Sequence, residues 1–305
     1  IGGDGSDLYY VDHAGDVVSE TNAAAAGGTD TVYTVVHHTL GANVENLRIT
    51  ASGAVNGTGN TLNNIIYAGA GNNVLDGGAG TDTLSYAYAT AGVTVSLATV
   101  GAQATGGSGT DTVLNFENLI GSDFNDKLTG DTNANTLTGA LGNDTLNGGT
   151  GADTMIGGDG SDLYYVDHAG DVVSETNAAA AGGTDTVDTV LHHTLGANVE
   201  NLRITASGAV NGTGNALNNI IYAGAGNNVL DGVVGIDTLS YAYATAGVTV
   251  NLDTNGPQPT GGSGTDTVLN FENLVGSDFN DVLTGGTTFG GLGNDTLNGG
   301  TMIGG

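Results

Sequence analysis

The chain has no cysteine and no tryptophan, two prolines, and only three basic side chains in 305 residues. Each scarcity excludes something. Without cysteine there is neither a disulfide framework nor a thiolate metal site. With Arg48, Lys127 and Arg203 as the only Lys or Arg residues, the chain has no means of neutralising a row of phosphates, which excludes nucleic acid as a partner. No apolar run reaches the 18 residues of a membrane span. Proline is too rare, and glycine too irregular, for a collagen helix. What remains is an acidic, glycine-rich chain: 32 Asp and Glu, 56 Gly and a formal net charge of -29. Such a charge with few aromatics is the usual signature of disorder. Against it, 38% of the residues are hydrophobic and they recur regularly. Regular apolar positions beside uncompensated acid point to a missing counterion, and so to a chain that folds around cations.

The sequence repeats at two scales. IGGDGSDLYYVDHAGDVVSE begins at Ile1 and again at Ile156, and residues 1–130 differ from 156–285 at 13 positions. The expected organisation is therefore a first solenoid unit over 1–155 and a near-identical second one over 156–305, continuous with it and read as a segment of a longer array. The finer period is nine. From Gly121 the chain reads GSDFNDKLT, GDTNANTLT, GALGNDTLN, GGTGADTMI, GGDGSDLYY and VDHAGDVVS. Position six is Asp126, Asn135, Asp144, Asp153, Asp162 and Asp171; position eight is Leu128, Leu137, Leu146, Met155, Tyr164 and Val173. A second run covers 59–85, and GGSGTDTVL stands alone at 106–114 and 261–269.

Each unit divides into a glycine turn and a three-residue strand. Glycine at positions one, two and four permits positive φ and close backbone approach. In the strand, side chains alternate faces, so only position eight points inward. Two units then close one 18-residue coil of a flattened, parallel, all-β solenoid. Position-six acids stack at the strand spacing of about 4.8 Å, which demands a cation between them. Carboxylates and turn carbonyls are hard oxygen ligands of the kind that suit calcium.

These units resemble the nonapeptide G-G-x-G-x-D-x-U-x of RTX, or hemolysin-type, calcium-binding proteins, whose pattern implies a parallel β-roll or β-helix. Units 77–85, 106–114, 148–156, 157–165 and 261–269 match it in full. The resemblance implies that each ion bridges two successive turns. Carried onto this chain, the position-six ligands of Ca2+ are Asp7, Asp82, Asp111, Asp126, Asp144, Asp153, Asp162, Asp171, Asp237, Asp266, Asp281 and Asp295. The turn before Asp237 departs from the pattern: Val233, Val234 and Ile236 stand where the first copy has Gly78, Ala79 and Thr81, so this site is expected to bind poorly. GGTTF at 285–289 is shorter than its counterpart, marking decay of the array or omitted residues. Segments 20–58 and 86–105 read as wider coils with outward loops, one carrying Pro257 and Pro259 in its second-copy equivalent.

Sharper chemistry is not encoded. No H-E-x-x-H, no G-x-S-x-G and no G-K-[ST] occurs, and every acid pair falls in phase with the turns, so the chain is expected not to be an enzyme. His37-His38 and His192-His193 face opposite sides of a strand and do not chelate one ion; His13 and His168 sit in degenerate, solvated turns. Tyr9, Tyr10, Tyr86 and Tyr88 alternate between core and surface. Threonine ranks of the ice-binding kind are not sustained. The expected function is a secreted, calcium-stiffened structural segment of the cell surface or matrix: an adhesin stalk, a surface-layer component or a filament assembled end to end or laterally. The alternative is an accessory export and folding module of a secreted enzyme or toxin. The resemblance implies type I secretion and folding outside the cell.

Overall fold

In a computed structural model, residues 1–22, 27–177 and 182–304 are described. The alanines at 23–26 and 178–181, inside the segments read as wider coils, lie outside the described residues. No helix is long and apolar enough to cross a membrane among the described residues. Every regular element is a short strand, as three-residue apolar stretches between glycine turns require. Two compact units divide the chain: Ile1–Gly160 with Gly170–Val172, and Ser161–Ala169 with Val173 onward.

In the first unit, strands Leu8–Val11, Thr31–Thr34, Asn46–Ile49, Ile65–Tyr67, Thr83–Ser85, Asn118–Ile120, Thr136–Leu141 and Thr154–Asp159 line up in one sheet. All neighbours in it are parallel. Opposite lie His38–Thr39, Gly57–Thr58, Val74–Asp76 and Gly109–Leu114, then Thr94–Ser96, Lys127–Thr129 and Thr145–Asn147. The register is that of a solenoid: Leu119 pairs Leu137, and Leu137 pairs Met155. Position eight therefore stacks on itself, and Leu47, Ile66, Leu84, Leu119, Leu137 and Met155 form a fully buried ladder. The second unit repeats the plan, with Tyr164, Val187, Leu202, Ile221, Leu239 and Leu274 in the equivalent ladder. The parallel β-roll is what the nine-residue phase predicts.

Three features depart from a uniform coil. The coil from Thr83 to its partner Asn118 is 35 residues long, because it carries an antiparallel hairpin of Ala102–Gly106 against Gly109–Leu114. The second copy has the same hairpin, with Pro257 and Pro259 on its Pro257–Gly261 arm. The prolines thus lie in a strand rather than a loop. Pro257 and Pro259 occupy the outer arm, the last strand of its sheet beside Gly264–Leu269, and an edge tolerates a residue that cannot donate. Coils in 8–65 run 23, 15 and 19 residues between paired positions.

The shortened segment at 285–289 also has a structural solution. Asn273 pairs Thr287, Val282 pairs Thr296, and Thr287 pairs Thr301, so each coil closes in 14 residues instead of 18. This tighter coil puts Thr288 under Leu274 in the apolar ladder. Thr288 is fully buried and its hydroxyl has no partner. A buried hydroxyl without a hydrogen bond costs about 1–3 kcal/mol. Thr288→Val, which keeps the shape, is expected to raise stability by about 1 kcal/mol, read as a higher urea midpoint in calcium; an unchanged or lower midpoint would contradict this.

Candidate calcium centre

The turns show why each repeat position has its residue. Positions two and four need positive φ: Gly149 has φ 85° and Gly142 φ 113°. Position one does not. A Cβ on Gly139 would collide with Oδ2 of Asp144, and one on Gly148 with Oδ2 of Asp153; Gly276 and Gly290 stand in the same relation to Asp281 and Asp295. The first glycine therefore makes room for a carboxylate oxygen of its own turn.

The other oxygen of that carboxylate is held by the preceding coil. Asp126 N–H donates to Asp144 Oδ1 at 2.8 Å, Asn135 N–H to Asp153 Oδ1 at 2.8 Å, and Asp153 N–H to Asp171 Oδ1 at 3.1 Å. Asn64 N–H reaches Asp82 at 2.7 Å, Asn219 N–H reaches Asp237 at 2.7 Å, and Asp281 N–H reaches Asp295 at 3.0 Å. Each column of acids is thus one hydrogen-bonded ladder. It aims one oxygen along the stack and the other at a glycine turn.

Asp82 and Asp237 are each 1% exposed, and the Oδ2 of each has no hydrogen-bond partner. Burial pushes both carboxyls up from the ordinary range, with Glu117 beside Asp82 and Glu272 beside Asp237 adding to it. Asp144, Asp153 and Asp162 are buried; Asp7, Asp171 and Asp295 are half-buried. The one ion pair found among the described residues, Arg203 with Asp188, lies outside these turns. Buried carboxylate oxygens beside glycine carbonyls, with no basic side chain to neutralise them, fit a hard cation such as calcium. Asp7, Asp82, Asp144, Asp153, Asp162 and Asp237 are the residues that would hold it, supplying the negative charge that the turns concentrate.

Four predicted ligands have other tasks. Asp111 Oδ2 accepts from Tyr86 OH at 3.1 Å and Thr105 Oγ1 at 3.1 Å, and its Oδ1 from Asn73 N–H at 2.9 Å. Asp266 repeats this with Tyr241, Thr260 and Asn228. Gly106, Gly107, Ser108 and Gly109 form the hairpin turn rather than a coil corner, so Asp111 and Asp266 tie the hairpin to the core. Burial pushes Asp111 up to about 6. Asp126 and Asp281 are occupied by the serine of their own turn: Ser122 donates N–H at 2.5 Å and Oγ–H at 2.8 Å, and Ser277 at 2.6 and 2.8 Å.

Other acids were missed by a search for aspartate at nine-residue spacing. Glu117 Oε2 accepts from Asp82 N–H at 2.7 Å and Glu272 Oε2 from Asp237 N–H at 2.8 Å. Glu45 and Glu200 do the same for Asp30 and Asp185, each at 2.8 Å. Asn118-Leu119 pairs Thr83-Leu84, so Glu-Asn-Leu is the Asp-Thr-Leu of a wider coil, with glutamate at position six. The apolar residue two places on is the signal that would have found it.

The RTX calcium-binding nonapeptide repeat matches at residues 58–86, 116–146, 138–167, 213–239, 271–287 and 289–301. The chain carries RTX calcium-binding repeats along much of its length. The hairpin units at 106–114 and 261–269 lie outside the matched residues, in keeping with their different use of aspartate. The RTX chain is also similar to the endo-1,3-1,4-beta-glycanase ExsH of Rhizobium meliloti (strain 1021), 42% identical over 71 residues, which are 23% of this chain and 14% of that protein.

The bulky turn of the second copy keeps its RTX geometry. The sequence leads one to expect a weaker site here, and Asp237 is nonetheless placed and bonded as Asp82 is. The cost falls on the backbone. Val233 takes φ 74° where Gly78 has 94°, and a left-handed β-branched residue is strained by about 1–2 kcal/mol. Val233→Gly is expected to raise thermal stability in calcium by about 1 kcal/mol after glycine's greater unfolded-state entropy is counted. A lower melting temperature would contradict it.

The histidines behave as ordinary strand residues. His37 is exposed and accepts from Asn56 N–H at 2.8 Å, while burial lowers the pKa of half-buried His38. Of the tyrosines, Tyr86 is core and Tyr88 lies outside, with the Arg48 guanidinium 3.4 Å from its ring centroid.

Proposed function

We propose that the chain is a calcium-dependent structural segment of a secreted or surface protein, folding and stiffening as Ca2+ fills its turns and assembling end to end or laterally. The observation that carries this is the ladder of buried acids, each held on one oxygen by the preceding coil and aimed on the other at a glycine turn. Two units of nearly one sequence, differing at 13 of 130 aligned positions, support a role in which periodicity counts more than a unique site. Secretion through a type I route and folding outside the cell, where calcium is plentiful, accord with RTX repeats and with the absence of cysteine. In this reading the chain is not itself an enzyme. Sedimentation velocity in EDTA and across a calcium titration, with magnesium as control, tests it. Slow extended monomers should become compact and then associate into large, calcium-dependent polymers. A compact monomer at every calcium concentration would overturn the filament reading.

A second reading has its own observation. The 71 residues shared with a glycanase cover 14% of that protein, as an accessory module of a larger secreted enzyme would. Finding a catalytic segment in the intact polypeptide, whose activity falls when these repeats are deleted, would decide for it.

A further inference from the structure

We propose that each unit holds a second kind of cation site, in which two carboxylates from outside the nonapeptide turns join the position-six aspartate of one turn: Glu20 and Asp30 with Asp7 in the first unit, Glu175 and Asp185 with Asp162 in the second. Leu8 pairs Thr31, so Asp7 and Asp30 immediately precede paired strands, separated by a 23-residue coil. The coil is longer than the repeat's 18, and its surplus brings in Glu20. One oxygen of each acid lies within 4.8 Å of the others, and the second unit gives the same cluster. The first cluster lies in 1–57, outside the residues matched by the RTX repeat.

The oxygens in the first unit are held but not satisfied. Asp7 N–H donates to Asp30 Oδ1 at 2.7 Å, Asp30 N–H to Glu45 Oε2 at 2.8 Å, and Gly3 N–H to Glu20 Oε2 at 3.1 Å. These bonds fix the carboxylates of Asp30, Glu45 and Glu20 and leave Asp7 Oδ2 and Glu20 Oε1 without a partner. Glu20 is 7% exposed and Asp30 1%. The phenol of Tyr9 is also unpartnered. A Cβ on Gly2 would meet Glu20 Oε1, Asp7 Oδ2 and Tyr9 OH at once. These atoms therefore converge on one cradle, which glycine leaves open. In the second unit Asp162, Glu175 and Asp185 are all at least nine-tenths buried, with Tyr164 OH against Glu175 Oε1. Burial, then the Asp162 and Glu200 charges, push Asp185 up to about 7.

Three buried carboxylates cannot stay ionised together without a counter-charge. The Arg203 guanidinium is paired with Asp188, which lies outside the cluster. An all-oxygen donor set with no histidine or cysteine selects a hard divalent ion, and its irregular spacing favours calcium over octahedral magnesium. The ion would pin the glutamate segment to the first strand pair of each unit.

The test uses the full chain with the double variant E20Q/E175Q. Calcium stoichiometry by equilibrium dialysis should fall by about two ions, one per unit, with the remainder retained. Terbium, an oxygen-seeking calcium substitute, gives a second readout. With no tryptophan in the chain, tyrosine sensitises its luminescence, and Y9F/Y164F should lose a fraction of that emission while keeping full stoichiometry. Unchanged stoichiometry in E20Q/E175Q together with unchanged emission in Y9F/Y164F would overturn the inference. If E20Q/E175Q does not fold, Y9F/Y164F decides alone. A wild-type chain that binds only about two ions would instead overturn the repeat-turn reading and leave this one standing.

Discussion

Chelation of calcium at neutral pH is expected to abolish most of the β signal in the far-ultraviolet circular dichroism of this chain. The net charge of -29 is set against three Lys and Arg residues, so the protein has no internal means of neutralising its stacked acids. Two carboxylates at the strand spacing of about 4.8 Å repel by about 3.5 kcal/mol at an effective dielectric of 20. The ladder presents several such neighbours in register, and the apolar ladder that opposes them is one side chain wide. Each calcium site, at tenfold excess over its dissociation constant, contributes about 1.4 kcal/mol by mass action and removes the repulsion besides. A handful of sites then matches the total stability of an ordinary domain, about 5–15 kcal/mol. EDTA should give a disordered spectrum, restored by calcium in the millimolar range and not by magnesium. Full β signal in EDTA at pH 7.5 would contradict this.

Acid is expected to act in opposite directions with and without calcium. Burial raises Asp82, Asp126, Asp237 and Asp266, takes Asp111 to about 6, and with the neighbouring acids takes Asp185 to about 7. A folded-state pKa above the unfolded value of about 4 stabilises the fold below that value, and the contribution disappears as pH rises through the folded pKa. In EDTA, therefore, structure should be gained as pH falls from 8 toward 4.5, with much of the change passing through the Asp185 and Asp111 values of about 7 and about 6. In calcium the ligands must be ionised, so the calcium concentration at half-folding should drop as pH rises over the same window. Circular dichroism in EDTA and calcium titrations at pH 5 and 7.5 check both arms. Parallel pH dependences would contradict the assignment of Asp82, Asp237 and Asp185 as shared between protons and calcium.

Much of this was legible in the residues because one constraint repeats. Position eight must be apolar, since it alone points inward, and the strand pairing of Leu119, Leu137 and Met155 follows from that phase. The glycines were read correctly as turn formers, yet their division of labour was not. Positive φ belongs to positions two and four, whereas Gly139 and Gly148 make space for a carboxylate. That distinction depends on where a neighbouring side chain points. The unit at 106–114 has a complete motif and still forms a hairpin. Glycine-rich turns serve both purposes, and what decides is the preceding Ala102–Gly106, free to pair antiparallel. Glu45 and Glu117 were hidden because wider coils break the nine-residue count while keeping strand register. Glu20 had no periodic signal at all, since it enters from the surplus of a 23-residue coil.

The most direct test is crystallography of the calcium-loaded chain with anomalous data collected to locate calcium. The account predicts anomalous peaks in contact with Oδ2 of Asp82 and Oδ2 of Asp237, the one carboxylate oxygen of each that has no hydrogen-bond partner. It predicts none on Asp111 and Asp266, whose oxygens are taken by Tyr86 and Thr105 and by Tyr241 and Thr260. Peaks on the second pair, or their absence from the first, would contradict it.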